Sequence, residues 1–70
     1  MDYDTQLINL ALDAGEIMLA SGAETFRVQD TMKRILSTTG REKIEATAIS
    51  TALIVTLPRE EKGPLSMMRG

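Results

Sequence analysis

Between Thr5 and Ala20 the apolar residues recur on two faces of one helix, not one. Leu7, Leu10, Ala11, Ala14, Ile17 and Met18 follow the three-and-four spacing of a helical stripe. Ile8, Leu12, Gly15 and Leu19 form a second stripe, about 130° round from the first at roughly 100° per residue. Gln6, Asn9, Asp13 and Glu16 alone define a polar side. A helix apolar over so wide an arc is expected to be covered from two directions. The chain has 70 residues to do this with, and a chain of that size buries only about 60% of the surface its unfolded form exposes. It contains neither cysteine nor histidine, which removes disulfide staples and histidine-built zinc sites. Stability has to come from packing, and association with another chain would add to it.

The ends of the helices are marked. Asp4 is placed to cap the first helix, with Tyr3 and Ile8 as a hydrophobic staple across its first turn. Gly22 suits a left-handed helix end. Ser21 and Glu24 have the spacing of a capping box that opens a second helix, running to about Thr39. Thr25, Val28, Met32, Ile35 and Leu36 make its apolar stripe. Asp30 precedes Lys33 and Arg34 by three and four residues, the favourable orientation for ion pairs, and Gly40 is a stop. The short break predicts two antiparallel helices.

After Gly40 the period changes. Ile44, Ala46 and Ala48 alternate with Glu45 and Thr47, the pattern of a strand with one wet face. Ala52 to Leu57 is apolar on both faces and rich in β-branched residues, which predicts a more buried strand. Ser50-Thr51 is a turn or bulge between them. Pro58 to Pro64 is a charged loop, and Leu65 to Arg69 reads as the beginning of a third strand. The fold class is therefore α+β, an antiparallel helix pair packed on a small sheet in the order α-α-β-β with this third strand as an addition. Residues 1–70 form a single small domain, expected to be a fragment because the strand signal ends without a closing element.

Composition excludes several functions. A net charge of −2 and two aromatic residues, Tyr3 and Phe26, give no footprint for nucleic acid. Met1-Asp2-Tyr3-Asp4 is acidic where an export signal would be basic. No apolar run reaches the roughly 18–20 residues that span a bilayer, since Asp13 and Glu16 interrupt the best candidate.

Few side chains suggest chemistry. Glu24, Thr25 and Arg27 are the candidates for binding a substrate or partner, Arg27 by a bidentate contact to a carboxylate. The bland alternative has Glu24 as a cap and Arg27 as a solvated cation. Asp13 and Glu16 could share a cation, but two carboxylates are a poor calcium site, so a solvated face is the expectation and no metal or cofactor is assigned. Ser21 lacks a histidine base, and Lys33 lies far along the second helix, so catalysis is not expected. Ile8, Leu12, Gly15 and Leu19, with the off-stripe Phe26, are the candidates for an interface, because glycine lets another backbone approach closely. The alternative for that face is cover by the chain's own sheet.

The run Ala14-Gly15-Glu16-Ile17-Met18-Leu19-Ala20-Ser21-Gly22-Ala23-Glu24-Thr25-Phe26-Arg27-Val28 resembles the opening signature of the threonine/serine exporter family. Its parts are an Ala-Gly helix, a Ser-Gly-Ala break, then Glu-Thr, an aromatic residue, Arg and Val. The later elements follow the family's order, through Thr39-Gly40, a strand from near Lys43, the run Leu53-Ile54-Val55-Thr56-Leu57 and a strand reaching Arg69. At Ile49-Ser50-Thr51 the proline of the family's Pro-Thr turn is missing. The resemblance implies a cytoplasmic domain preceding transmembrane helices, and export of small amino acids or dicarboxylates driven by the proton gradient. It also implies contact with the transmembrane region or with a second membrane subunit. A homo-oligomer is the other expected partnership. A self-associating module without a transport role is the competing reading, and a small hydrolase the third.

Overall fold

The computed structural model describes residues 2–70. Two helices, α1 (Tyr3–Ala20) and α2 (Thr25–Ser37), precede three strands, β1 (Glu45–Ile49), β2 (Ala52–Leu57) and β3 (Leu65–Arg69). The strands form one antiparallel meander in the order β1-β2-β3. Both helices lie on the same face of it, α2 mainly over β1 and α1 over β2. The α+β arrangement expected from the sequence is the observed one, and the third strand is present.

α1 begins earlier than its expected start. Asp2, not Asp4, is the N-cap, and its carboxylate accepts a hydrogen bond from the Thr5 amide at 2.8 Å. Either aspartate has the chemistry to cap. Capping from Asp2 lengthens the helix and frees Asp4 to pair with Arg41 across 3.1 Å. Tyr3 then sits inside the first turn and points outward, so no staple to Ile8 forms.

The other end of α1 is a Schellman motif. Gly22 adopts φ +85°, the Ala23 amide donates to the Met18 carbonyl, and the Gly22 amide to that of Leu19, both at 3.0 Å. The expected capping box does not form. Ser21 closes α1 at φ −88°, ψ 2°, whereas an N-cap needs extended backbone. That backbone occurs at Glu24, which occupies the N-cap of α2 without a side-chain hydrogen bond.

The core is made by Ile8, Leu12, Val28, Met32, Leu36, Leu53, Val55 and Leu57, all closed to solvent. Of the two stripes on α1, the one containing Ile8, Leu12 and Gly15 is buried, with Leu19 half-buried beside it. The first stripe splits. Leu7 and Ala11 are buried, while Leu10 and Ile17 are 56% and 68% exposed. The expectation of cover from two directions is therefore met on one stripe and only in part on the other. The candidates Ile8, Leu12 and Gly15 are not an interface surface, because α2 and the sheet already occupy that side. A methyl group built on Gly15 would lie 2.8 Å from Met32 Sδ and 2.9 Å from Leu53 Cδ1. The close approach that glycine permits is made within the chain.

Alternation in the sheet sends Ala48, Leu53, Val55 and Leu57 toward the helices. Ile49, Ile54 and Met68 face away and stay exposed, with Ile54 paired to Met68. β2 is the central strand but is buried on one face, not two. The edge of β1 is closed by α2: the Ala48 amide donates to Gln29 Oε1 at 2.9 Å.

Two outcomes follow from this packing. Leu12→Ala should lower stability in urea unfolding by about 2–5 kcal/mol. Gly15→Ala should change it by less, within about 1 kcal/mol, since the ends of Met32 and Leu53 can give way and alanine is the better helix former. Gly15→Leu should cost at least about 1–3 kcal/mol by overpacking. A harmless Gly15→Leu would contradict the close approach.

The Thr5 amide holds the Asp2 carboxyl below its ordinary value of 3.8. A carboxyl whose pKa is lower in the folded state stabilises the fold above the unfolded value and loses that effect as pH falls through the folded one. The first turn of α1 should therefore stay intact above pH 3.8 and fray below it. The Thr5 amide resonance reports this, and a midpoint above 3.8 would speak against Asp2 as the cap.

Candidate functional site

The most connected polar group of the surface is built on Arg69, at the end of β3. Its strand position pairs with Leu53 on the helix-facing side of the sheet. From there the half-buried side chain reaches the polar side of α1. Nη1 donates to Asp13 and, at 2.6 Å, to Glu16; Nη2 donates to Asn9 Oδ1 at 2.9 Å. Asn9, Asp13 and Glu16 are spaced to fall on one side of α1, and two carboxylates three residues apart on a helix repel each other. The guanidinium between them removes the repulsion and ties the last strand to the first helix. The hydrogen bonds that Arg69 donates to Glu16 and then to Asp13 raise its pKa further above its ordinary value. Asp13 and Glu16 thus share a cation, as one sequence reading allowed, but it is a side chain of the same chain and not a metal. Beside this cluster is a small cleft of about 190 Å³, bounded by Glu16, Leu19, Ser50, Thr51, Leu53 and Arg69.

The Glu24-Thr25-Phe26-Arg27 run lies elsewhere. All four residues are exposed at the start of α2. Phe26 and Arg27 border a groove of about 600 Å³ with Asp30, Thr31 and Arg34. Asp30 is paired with Arg34 at 2.8 Å, and Arg27 has no ion-pair partner among the described residues. Glu24 holds the N-cap position by its backbone alone, so capping does not account for its carboxylate. Ser21 ends α1 on the surface.

A third concavity, about 720 Å³, lies between Asp4, Arg41 and the loop from Pro58 to Lys62. Its charges are mixed. Arg41 Nη1 is buried there without a hydrogen-bond partner, and Arg59 Nε donates to the Gly63 carbonyl at 2.9 Å. Among the described residues no group of three or more acidic side chains is arranged to hold a metal ion.

Arg69 was missed as a site residue when the sequence was read alone. Its signal was the pair Asp13 and Glu16 with no basic residue one turn away to balance them. Replacing it by glutamine should leave that repulsion unrelieved and loosen β3. The expected loss is about 1 kcal/mol after allowing for solvent screening. It should shrink as salt is added and be partly recovered by Asp13→Asn in the same chain. Equal melting temperatures at low salt would show that the cluster has no structural weight.

Neither curated proteins nor solved structures provide a match to this chain. Residues 9–70, a span that includes both the Arg69 cluster and the Glu24–Arg27 run, match the family described as "Putative threonine/serine exporter". With most of its length matched, the chain belongs to the threonine/serine exporter family.

Proposed function

We propose that this chain is a cytosolic domain of a proton-driven exporter of small amino acids, and that it acts with a membrane-spanning partner and not by itself. Family membership over residues 9–70 carries the reading. It is joined by one fact of the fold: among the described residues no helix is long and apolar enough to cross a membrane. A path for a solute across a bilayer must then be built by other segments or subunits, and this domain gates, senses or assembles them. A catalytic role has little support, since Ser21 has no histidine anywhere in the chain to act as its base.

The start of α2 is the surface best suited to contact the membrane part. Phe26 is 62% exposed, and an exposed aromatic beside an unpaired arginine has the composition of an interface anchor. Arg27 would take a carboxylate of the partner, with Glu24 and Thr25 at its flank.

The test is transport. The membrane protein encoded with this domain, placed in vesicles loaded with threonine or serine, should export them when a pH gradient is imposed. Collapsing the gradient should abolish export. Vesicles holding the 70-residue chain alone should show none. Phe26→Ala with Arg27→Ala should reduce export or assembly several-fold without changing the melting temperature of the domain. Export indifferent to the gradient would refute the proton-driven reading, and undiminished export by the double variant would refute the docking surface.

Self-association is supported by a separate observation, the exposed Tyr3, Leu10 and Ile17 at seven-residue intervals along α1. This stripe, and not the Ile8-Leu12-Gly15 face, is the apolar surface α1 has to offer another copy.

A further inference from the structure

We propose that the cleft between Glu16, Arg69 and the Ser50-Thr51 turn binds a small zwitterionic α-amino acid. The choice of ligand rests in part on the exporter reading; the site itself rests on geometry. Three parts of the chain that are distant in sequence meet there: the last two turns of α1, the β1–β2 turn and the end of β3. Its volume of about 190 Å³ is below the roughly 300 Å³ at which pockets for larger organic ligands begin. That leaves room for a few heavy atoms.

The chemistry of the walls has two poles. The hydrogen bonds within the Arg69 cluster use Nη1 and Nη2 and do not involve Nε–H. That donor is suited to one oxygen of a ligand carboxylate. On Glu16 the bond from Arg69 goes to Oε1, so Oε2 is left to accept from a ligand ammonium. Asp13, Glu16 and Arg69 together carry one excess negative charge, so the ammonium is the better-held end. Between the poles, the Ser50 and Thr51 hydroxyls can bond a side-chain hydroxyl, and Leu19 offers an apolar wall to a methyl group. A cation alone would leave the arginine pole unused, and an anion alone would meet the excess carboxylate. A molecule carrying both charged groups on one carbon satisfies both.

Such a site would link ligand to fold. Arg69 fixes β3 to α1, so a molecule seated on both Glu16 and Arg69 would tighten the contact that holds the last strand. In the longer protein, the level of the solute would then be read by the domain apart from the path of transport.

The experiment is a nuclear magnetic resonance titration of the 70-residue chain. L-threonine and L-serine should move the Leu19, Ser50 and Thr51 amides and the Arg69 Nε–H saturably, at millimolar concentrations. L-threonine methyl ester, which lacks the carboxylate, and N-acetyl-L-threonine, which lacks the ammonium, should each bind at least about tenfold more weakly. Glu16→Gln retains an acceptor for Arg69 and should abolish the preference for the free ammonium. Ser50→Ala and Thr51→Val, both on an exposed turn, should keep the fold and weaken L-threonine more than L-alanine. Equal binding of the ester would reduce the site to a cation site, equal binding of the N-acetyl compound to an anion site, and either overturns the proposal. So does the absence of any saturable shift in the folded wild-type chain. Gradient-driven export by a protein whose domain shows no binding would overturn this inference alone. Saturable binding in a protein that exports nothing would overturn the exporter reading alone.

Discussion

At Gly15 no side chain separates α1 from the two elements beneath it. The thioether of Met32 and a methyl of Leu53 fill the place a Cβ would take, so the second helix and the central strand meet the first helix at one point. Close packing makes the rest of the core conditional on that approach. Ile8 and Leu12, a turn or two away on the same side, reach full burial because the helix sits this deep. Were α1 held further out, the voids beneath it would forfeit dispersion contacts that a small core cannot spare.

The same contact decides the fate of the two apolar stripes. The first holds six residues and the second four, and periodicity alone cannot choose between them. Steric room can. The stripe with the glycine turns inward because a neighbour can come closest there. Of the other stripe, Leu10 and Ile17 are left outside although their side chains are large, while Leu7 and Ala11 are buried. Glycine marks a point of close approach, and of the two occupants the sequence allows there, another chain or the chain's own sheet, the structure has the second, with α2 beside it. The break between the helices teaches a related lesson. Ser21-Gly22-Ala23-Glu24 satisfies the pattern of an ending and of a beginning, and one residue cannot hold both backbone conformations. The glycine-based ending prevails, so Ser21 takes near-helical backbone and the cap position passes to Glu24.

Strand positions were legible from the change of period after Gly40, but the one-sided burial of β2 was not, because Ile54 is as apolar as its neighbours; the register itself is held because a slip of one residue would turn Leu53, Val55 and Leu57 to the outside. The Arg69 cluster was not legible to the same degree. Asn9, Asp13 and Glu16 are visible as one side of a helix, but the cation that answers them lies at the far end of the chain, brought there by two hairpin turns. Local spacing rules describe neighbours along a helix and carry no information about which strand ends above it. The unbalanced acidic pair was the one local sign that a distant cation was needed.

The exposed apolar and unpaired surfaces of the chain fall in three places. The sheet face bearing Ile49, Ile54 and Met68, the outer stripe of α1 and the start of α2 point in different directions and are apolar or unpaired. Among the described residues no ionisable side chain is buried in the core. The charged group with the firmest hold on the fold is the Arg69 cluster, which joins the first helix to the last strand by polar bonds. Hydrophobic packing sets the position of α1 over β2, whereas charge fixes the end of β3. Both hold α1, one against β2 and the other against β3, so a change at the charged cluster can alter the last strand while leaving the core under α1 in place.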